Sequence, residues 1–274
     1  MKRSISILLL GSLMATIPAA NAHRAWIVPA ATVLSGDEPW VTFDAAASND
    51  IFHADHAPLR LDGVVVKAPN GKTVELLNSH TGKHRSTFDL QLKQDGTYKI
   101  ERASSGLRAR WKTEDGKRGS WPKRGQKANI KDFDKMVPKN AKDLVVSETS
   151  RRVETFVTSG TPSNQVFEPS NVGLELVPIT HPNDLYSEET AEFKLLIDGE
   201  VAVGAKVEVL AGGMRYRDSQ DQITATTDKE GKFSITWPSA GMYWMSASYE
   251  DDKASKPATK RQGGYSASFE VLPQ

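Results

Sequence analysis

The sequence predicts an all-β protein made of two immunoglobulin-like or transthyretin-like β-sandwich domains joined through a long basic loop segment. Three observations predict it. Short alternating apolar runs recur along the chain with no sustained helical period. Turn residues punctuate those runs every few positions. The two halves also echo one another.

In the first half the candidate strands are Ala25 to Pro29, Trp40 to Ala45, Leu59 to Ala68, Thr73 to Leu77, Ser86 to Leu92 and Tyr98 to Arg102. Pro69-Asn70-Gly71-Lys72 and Asp95-Gly96-Thr97 lie between them and supply tight-turn chemistry. In the second half the strands are Leu174 to Pro178, Ala191 to Ile197, Lys206 to Leu210, Ile223 to Thr227, Lys232 to Trp237, Tyr243 to Tyr249 and Ser266 to Leu272. Gly199, Gly212-Gly213 and Asp228 to Gly231 separate several of them. The echo is Phe88-x-Leu90-x-Leu92 leading to Gly96-x-Tyr98, matched at identical spacing by Phe233-x-Ile235-x-Trp237 leading to Gly241-x-Tyr243. It predicts an inward-facing strand, a tight turn, and a tyrosine whose hydroxyl bonds back to the turn. The expected domains are 23–165, including a basic loop at 106–145, and 172–274.

From Gly106 to Arg152 there are fourteen Lys/Arg against six Asp/Glu, so this stretch carries a formal +8. Gly116, Gly119, Pro122 and Gly125 make its first half a poor strand or helix, which predicts a surface loop, with Val145 to Ser159 returning as a strand. The segment is either a solvated counterweight to an acidic body or a docking surface for an acidic partner. Over the whole chain 35 Lys+Arg meet 34 Asp+Glu, which argues against nucleic-acid binding. There is no cysteine, which excludes disulfide scaffolds, thiolate metal sites and cysteine nucleophiles, so any metal must be held by nitrogen and oxygen.

Residues 1–22 have the pattern of a cleaved secretory signal peptide: Lys2 and Arg3, an apolar run from Ile5 to Leu10, and Ala20-Asn21-Ala22 where a signal peptidase cuts. The expected location is the periplasm. Cleavage after Ala22 makes His23 the N-terminus, giving one residue both a free α-amine and an imidazole to chelate an ion.

Six histidines are present. His53-Ala54-Asp55-His56 packs two imidazoles and a carboxylate into four residues after the turn-prone Ser48-Asn49-Asp50. Positions three apart on a straight strand face opposite ways, so His53 and His56 share an ion only if the segment bends. Otherwise His53 is a spectator, with Asp55 and His56 serving as ligand and orienting partner. His181 precedes Pro182 and is either a ligand from the second half or a polar residue at a domain junction. His80 and His84 are expected on a surface loop, since Lys83 and Arg85 beside them repel a cation. The candidate metal ligands are thus His23, His53, Asp55, His56 and His181. Three or four nitrogen donors suit Cu(II) or Ni(II), with Zn(II) also compatible. No nucleophile elbow, zinc-protease helix or nucleotide-binding loop occurs, and a non-enzymatic role is expected. Of the six tryptophans, Trp111 and Trp121 in the basic segment are candidates for a glycan-stacking platform.

Ala22-His23-Arg24-Ala25-Trp26-Ile27-Val28-Pro29, Ser48-Asn49-Asp50 leading to Asp55-His56-x-Pro58-Leu59-Arg60-Leu61, and Leu174-Glu175-Leu176-Val177-Pro178 leading to Pro182 resemble a periplasmic family associated with nickel/cobalt uptake systems. Thr227-Asp228-x-x-Gly231-x-Phe233 and Phe269-Glu270-Val271-Leu272-Pro273 add to the resemblance, which spans nearly the whole mature chain. It implies an exported β-sandwich protein that binds nickel, cobalt or another divalent metal and delivers it to a membrane transporter or outer-membrane receptor. His23, Asp55 and His56 fall on the family-like stretches. Two other functions stay open: an envelope module that binds a protein or glycan, its histidines incidental, and a copper oxidase braced by the N-terminal histidine.

Overall fold

A computed structural model describes residues 23–123, 125–126 and 128–274, so the expected leader 1–22 lies outside the described residues. Alternating apolar and polar residues make short strands throughout. The first are β1 (Arg24–Pro29), β2 (Val33–Leu34), β3 (Trp40–Ser48), β4 (Ala57–Pro58), β5 (Val64–Lys67), β6 (Thr73–Val74) and β7 (Leu77–Thr81). The middle of the chain forms β8 (Ser86–Gln91), β9 (Gly96–Lys112), β10 (Arg118–Trp121) and β11 (Lys142–Ser159). The last are β12 (Leu174–Pro178), β13 (Thr190–Ile197), β14 (Glu200–Val201), β15 (Lys206–Ala211), β16 (Ile223–Thr226), β17 (Lys232–Thr236), β18 (Gly241–Asp251) and β19 (Lys260–Val271). Among the described residues the single α-helix is α1 (Phe133–Met136), and no helix is long and apolar enough to cross a membrane.

The strands form three sheets. A five-stranded sheet runs β1-β3-β8-β7 with β4 beside β3, and a four-stranded sheet runs β12-β13-β14 with β17 beside β13. The largest has ten strands along β16-β15-β18-β19-β11-β9-β5-β6, with β10 on β9 and β2 on β11. Its two halves join where β11 pairs parallel with β19, from Ser147↔Lys260 to Thr155↔Ser268.

Strand β11 shows how the layers stack. Val153 and Val157 enter one core with Phe43, Phe88, Leu90 and Ile100, whereas Phe156 on the opposite face enters another with Phe193, Trp237, Tyr265 and Phe269. The ten-stranded sheet is therefore a middle layer, covered on one face by the β1-containing sheet and on the other by the β12-containing sheet. The protein is an all-β sandwich whose two cores share this sheet, so the expected units 23–165 and 172–274 meet through continuous strand pairing.

Both echoed turns close as their spacing predicts. Tyr98 Oη accepts from the Gln94 N–H at 2.9 Å and donates to the Gln94 carbonyl at 3.2 Å, and Tyr243 Oη donates to the Ser239 carbonyl at 2.8 Å. Gly96 sits at φ +124°, where a Cβ would lie 2.7 Å from the Pro69 side chain. Tyr98→Phe and Tyr243→Phe are each expected to cost about 0.5–1.5 kcal/mol in urea unfolding, the net worth of one such bond. Equality with wild type in both variants would show the corners to be idle.

The basic segment departs from the expected loop. β9 runs on to Lys112, a hairpin leads to β10, and β11 begins at Lys142. Leu107, Ala109 and Trp111 turn inward while Arg108, Arg110 and Lys112 face solvent, a period-two pattern that the density of positive charge conceals. Trp121 is buried with Ala109, Val137, Val146 and Ala258, its ring edge-on to Phe133 at 5.2 Å. Gly119 lies so close to the Trp111 indole that a Cβ there would come within 2.3 Å of the ring. Both tryptophans thus pack this extension, Trp121 buried and out of reach of a glycan, Trp111 half-buried. Trp40, in a core strand by pattern, is 54% exposed.

A buried ion cluster joins β9, β11 and β12. Arg152 reaches Glu101 at 2.5 Å and Glu175 at 2.9 Å, Lys99 lies 3.4 Å from Glu101, and the Tyr265 hydroxyl donates to Glu154 at 2.7 Å.

Candidate metal centre

The end of β3 organises this site. β1 pairs with β3 along one edge, Arg24 opposite Ser48, so His23 is held beside the loop that leaves β3. That loop crosses the strand end and returns along the other edge as β4, Ala57 opposite Ala47, which brings His56 back to the same place. The rings of His23 and His56 stack with centroids 3.5 Å apart and planes 4° from parallel. Both residues are exposed. Nitrogen–metal bonds of roughly 2.0–2.1 Å put two ligating nitrogens about 3 to 4 Å apart, and the stack holds the ring centroids 3.5 Å apart, but the in-plane lone pairs of parallel rings run side by side, so the rings must tilt to point at one ion.

The scaffold beneath is anchored. Trp26 Nε1 donates to Ser48 Oγ at 2.7 Å, and Ser48 Oγ donates to the Asp50 carbonyl at 2.6 Å. Trp244 Nε1 and Ser266 Oγ, both on the middle sheet, donate to the Ala25 carbonyl at 2.9 and 3.1 Å. Trp26, Ile51, Leu210 and Trp244 form a small buried cluster that fixes β1 and the loop against β15 and β18.

The other expected donors are placed differently. Asp55 closes the loop, accepting the Asn49 N–H at 3.1 Å with its second oxygen 3.5 Å from Asn49 Nδ2. The loop does bend, with Phe52 at φ +59°, but it turns His53 toward the second half, where Arg215 Nη1 donates to its Nε2 at 2.6 Å. A guanidinium in that position opposes a cation on the same ring. His181 is half-buried and distant in role: its Nδ1 accepts the Asn183 N–H at 3.1 Å, leaving Nε2 to meet Thr97 Oγ1 at 3.0 Å and the Ser163 carbonyl at 3.4 Å. Among the described residues no three His, Asp or Glu side chains gather closely enough to hold an ion. His84, expected on an unrelated loop, lies here too, its Nδ1 3.3 Å from the His56 carbonyl.

Burial holds the His181 imidazole below its usual range, against the raising pull of the Ser163 carbonyl and Asp184. The folded state therefore binds fewer protons than the unfolded chain between that depressed value and about 6.5, and stability rises with pH across this window. Thermal melts are expected to weaken as pH falls below about 6.5, with His181→Gln flattening that dependence. An unchanged slope in the variant would remove His181 as its source.

A family model described as a domain of unknown function, DUF4198, matches residues 20–251. The chain belongs to the DUF4198 family. All six histidines of this DUF4198 chain lie within the matched span. No curated protein matches it. Among solved structures, the human OSCAR ligand-binding domain is 11% identical, covering 89% of this chain and 97% of its own at a TM-score of 0.19. A DUF3823-family protein from Bacteroides uniformis is 12% identical, covering 92% and 100% at a TM-score of 0.24. The D0-D1 domain of intimin is 9% identical, covering 89% and 96% at a TM-score of 0.21. At such scores none of them bears on fold or function.

A second feature of this DUF4198 chain lies on the open face of β9 and β11. A groove of about 630 Å³ is lined there by Arg102, Arg108 and Arg151 together with Asp62, Pro122 and Gln126. Among the described residues none of these three arginines has a carboxylate within ion-pair distance, although Arg60, which bonds Asp62, holds the Asp62 carboxyl below its usual range with Arg102 adding to its pull.

Proposed function

We propose that this DUF4198 protein is an exported, non-enzymatic carrier of a divalent transition metal. It captures nickel, cobalt or copper in the periplasm and hands the ion to a membrane transporter or outer-membrane receptor. The observation that carries the reading is the stack of His23 on His56, two imidazoles from positions 33 residues apart held at one strand end. The third donor is the α-amine that cleavage after Ala22 creates on His23 itself. Amine and ring nitrogen of one residue close a chelate, and a neutral nitrogen set favours late first-row ions over calcium or magnesium. Asp55 shapes the loop, while His53 and His181 remain outside the set because Arg215 and the Thr97–Ser163 pair occupy their nitrogens. Exposure of both rings suits a site that must release its cargo as well as bind it.

The test is the intact mass of the exported protein followed by thermal melts with Ni(II), Co(II), Cu(II) and Zn(II). A chain beginning at His23 and a melting temperature that climbs with the concentration of one ion are expected, since an ion that binds only the native state stabilises it. A different N-terminus, or no shift with any of the four, rejects the reading.

The arginine groove favours a second role, an envelope interaction module for an acidic protein or glycan. Salt-sensitive binding of an anionic glycan that is lost in Arg108→Glu and indifferent to metal would place the function there.

A further inference from the structure

We propose that His84 is a third imidazole ligand at the His23–His56 centre, completing a four-nitrogen set with the His23 α-amine. This rests on the metal-carrier reading and adds to it both a ligand and a choice of ion.

Strand order brings His84 to the site. On one edge of β3, β8 starts at Ser86 opposite Ala45, and the two-residue β4 lies next to it with Pro58 opposite Ala46 and Ala57 opposite Ala47. The turn into β8 therefore abuts the short β4, which His56 precedes. That turn is tight, with the Gly82 N–H donating to the Arg85 carbonyl at 2.9 Å, and it holds His84 at its corner. His23, His56 and His84 each precede a strand that flanks the end of β3.

The contact selects the tautomer of the neutral ring. A backbone carbonyl only accepts, so His84 Nδ1, 3.3 Å from the His56 carbonyl, is the donor, and in the neutral ring this tautomer leaves the lone pair on Nε2. Ligating histidines ordinarily use their second nitrogen in this way, donating to a carbonyl that fixes tautomer and orientation. Here the carbonyl belongs to another ligand residue, which ties the two together.

Of the two positive charges that argued against His84, Lys83 stays exposed beside it and Arg85 is engaged elsewhere. Arg85 turns away to Asp44, Nη1 to Oδ2 3.2 Å, and is neutralised there. His23, His56 and His84 are all exposed, and since among the described residues no three His, Asp or Glu side chains are already gathered around one point, closing on an ion requires the three rings to rotate together, with His23 and His56 leaving their stack. Four neutral nitrogens and no carboxylate suit tetragonal Cu(II) or Ni(II), and of the two Cu(II) binds such a set more tightly. The inferred cargo of this site is Cu(II).

The experiment loads mature protein beginning at His23 with Cu(II) and reads affinity by competition titration and donor count by electron paramagnetic resonance. Wild type is expected to show a four-nitrogen spectrum. His84→Ala, melting as wild type without metal, is expected to lose one imidazole nitrogen and bind Cu(II) at least roughly 10- to 100-fold more weakly. His84→Asn keeps an N–H for the His56 carbonyl and should show the same loss of a nitrogen, which a purely positioning role would not produce. His80→Ala should change neither readout. Copper bound with unaltered spectrum and affinity in both His84 variants overturns this inference and leaves the carrier reading standing. Failure of wild type to bind any of the four ions overturns both.

Discussion

Replacing His23 with alanine, with cleavage still after Ala22, is expected to nearly abolish capture of the ion. The loss should exceed the roughly 10- to 100-fold that removing a mere supporting partner of a metal ligand costs. The variant keeps an α-amine but no ring, so the chelate opens and the stack on His56 disappears together. His56→Ala should follow closely, because it removes the only other imidazole in the stack. His80→Ala is the control: this residue lies on β7, paired opposite Thr87. A second construction separates amine from ring. Placing one alanine ahead of His23 keeps the imidazole and moves the free amine to a different residue, and affinity should again collapse. Isothermal titration of each apo-protein measures the effect. Similar affinities for His23→Ala and His80→Ala would mean that the N-terminal residue is not a ligand.

The largest stability effect is expected at Arg152. This guanidinium is 5% exposed and bonds Glu101, Glu175, Ser170 Oγ and the Val172 carbonyl. Through those contacts it joins the middle sheet to the sheet that covers its second half. Arg152→Met leaves Glu101, Glu154 and Glu175 buried with, among the described residues, Lys99 as the cation within ion-pair distance, 3.4 Å from Glu101 and 3.8 Å from Glu154. Burial already pushes the Glu154 carboxyl up against the opposing pull of Lys99 and Arg152, and losing Arg152 pushes it further. Stranding a buried charge in this way costs about 3–5 kcal/mol. Urea unfolding of wild type and variant measures it, the m-value showing whether both unfold the same surface. Adding Glu175→Gln should recover part of the loss, because the replaced carboxylate no longer lacks a partner. A loss below about 1 kcal/mol would put the cluster in the class of surface ion pairs.

Strand type and approximate bounds were legible wherever the pattern was local. Leu174–Pro178 matches residue for residue, and β13, β15 and β17 lie within one residue of their expected ends. The two tyrosine corners were visible because spacing, glycine and hydroxyl all lie within a few positions. The basic segment was misread where charge density hid alternation, since Lys and Arg at every second position still leave an apolar face. In β11, burial on both faces from Arg152 to Ser159 removes alternation altogether, so nothing local announced that two cores share this strand.

The candidate site divides along the same line. The sequence alone singled out His23, through the leader that precedes it, and His56, through its short motif. It could not separate His53 and His181 from them, because residue type and spacing do not reveal that Arg215, 162 positions from His53, occupies one ring, or that Thr97, 84 positions from His181, meets the other. It discarded His84 for the charges beside it, and only the pairing of β4 and β8 along one edge of β3 brings that ring to His56. Periodicity, turns and capping arise from forces that act over a few bonds and are written in neighbouring residues. A metal centre arises from which strands lie side by side, and that is decided by burying the apolar faces of segments far apart in the chain.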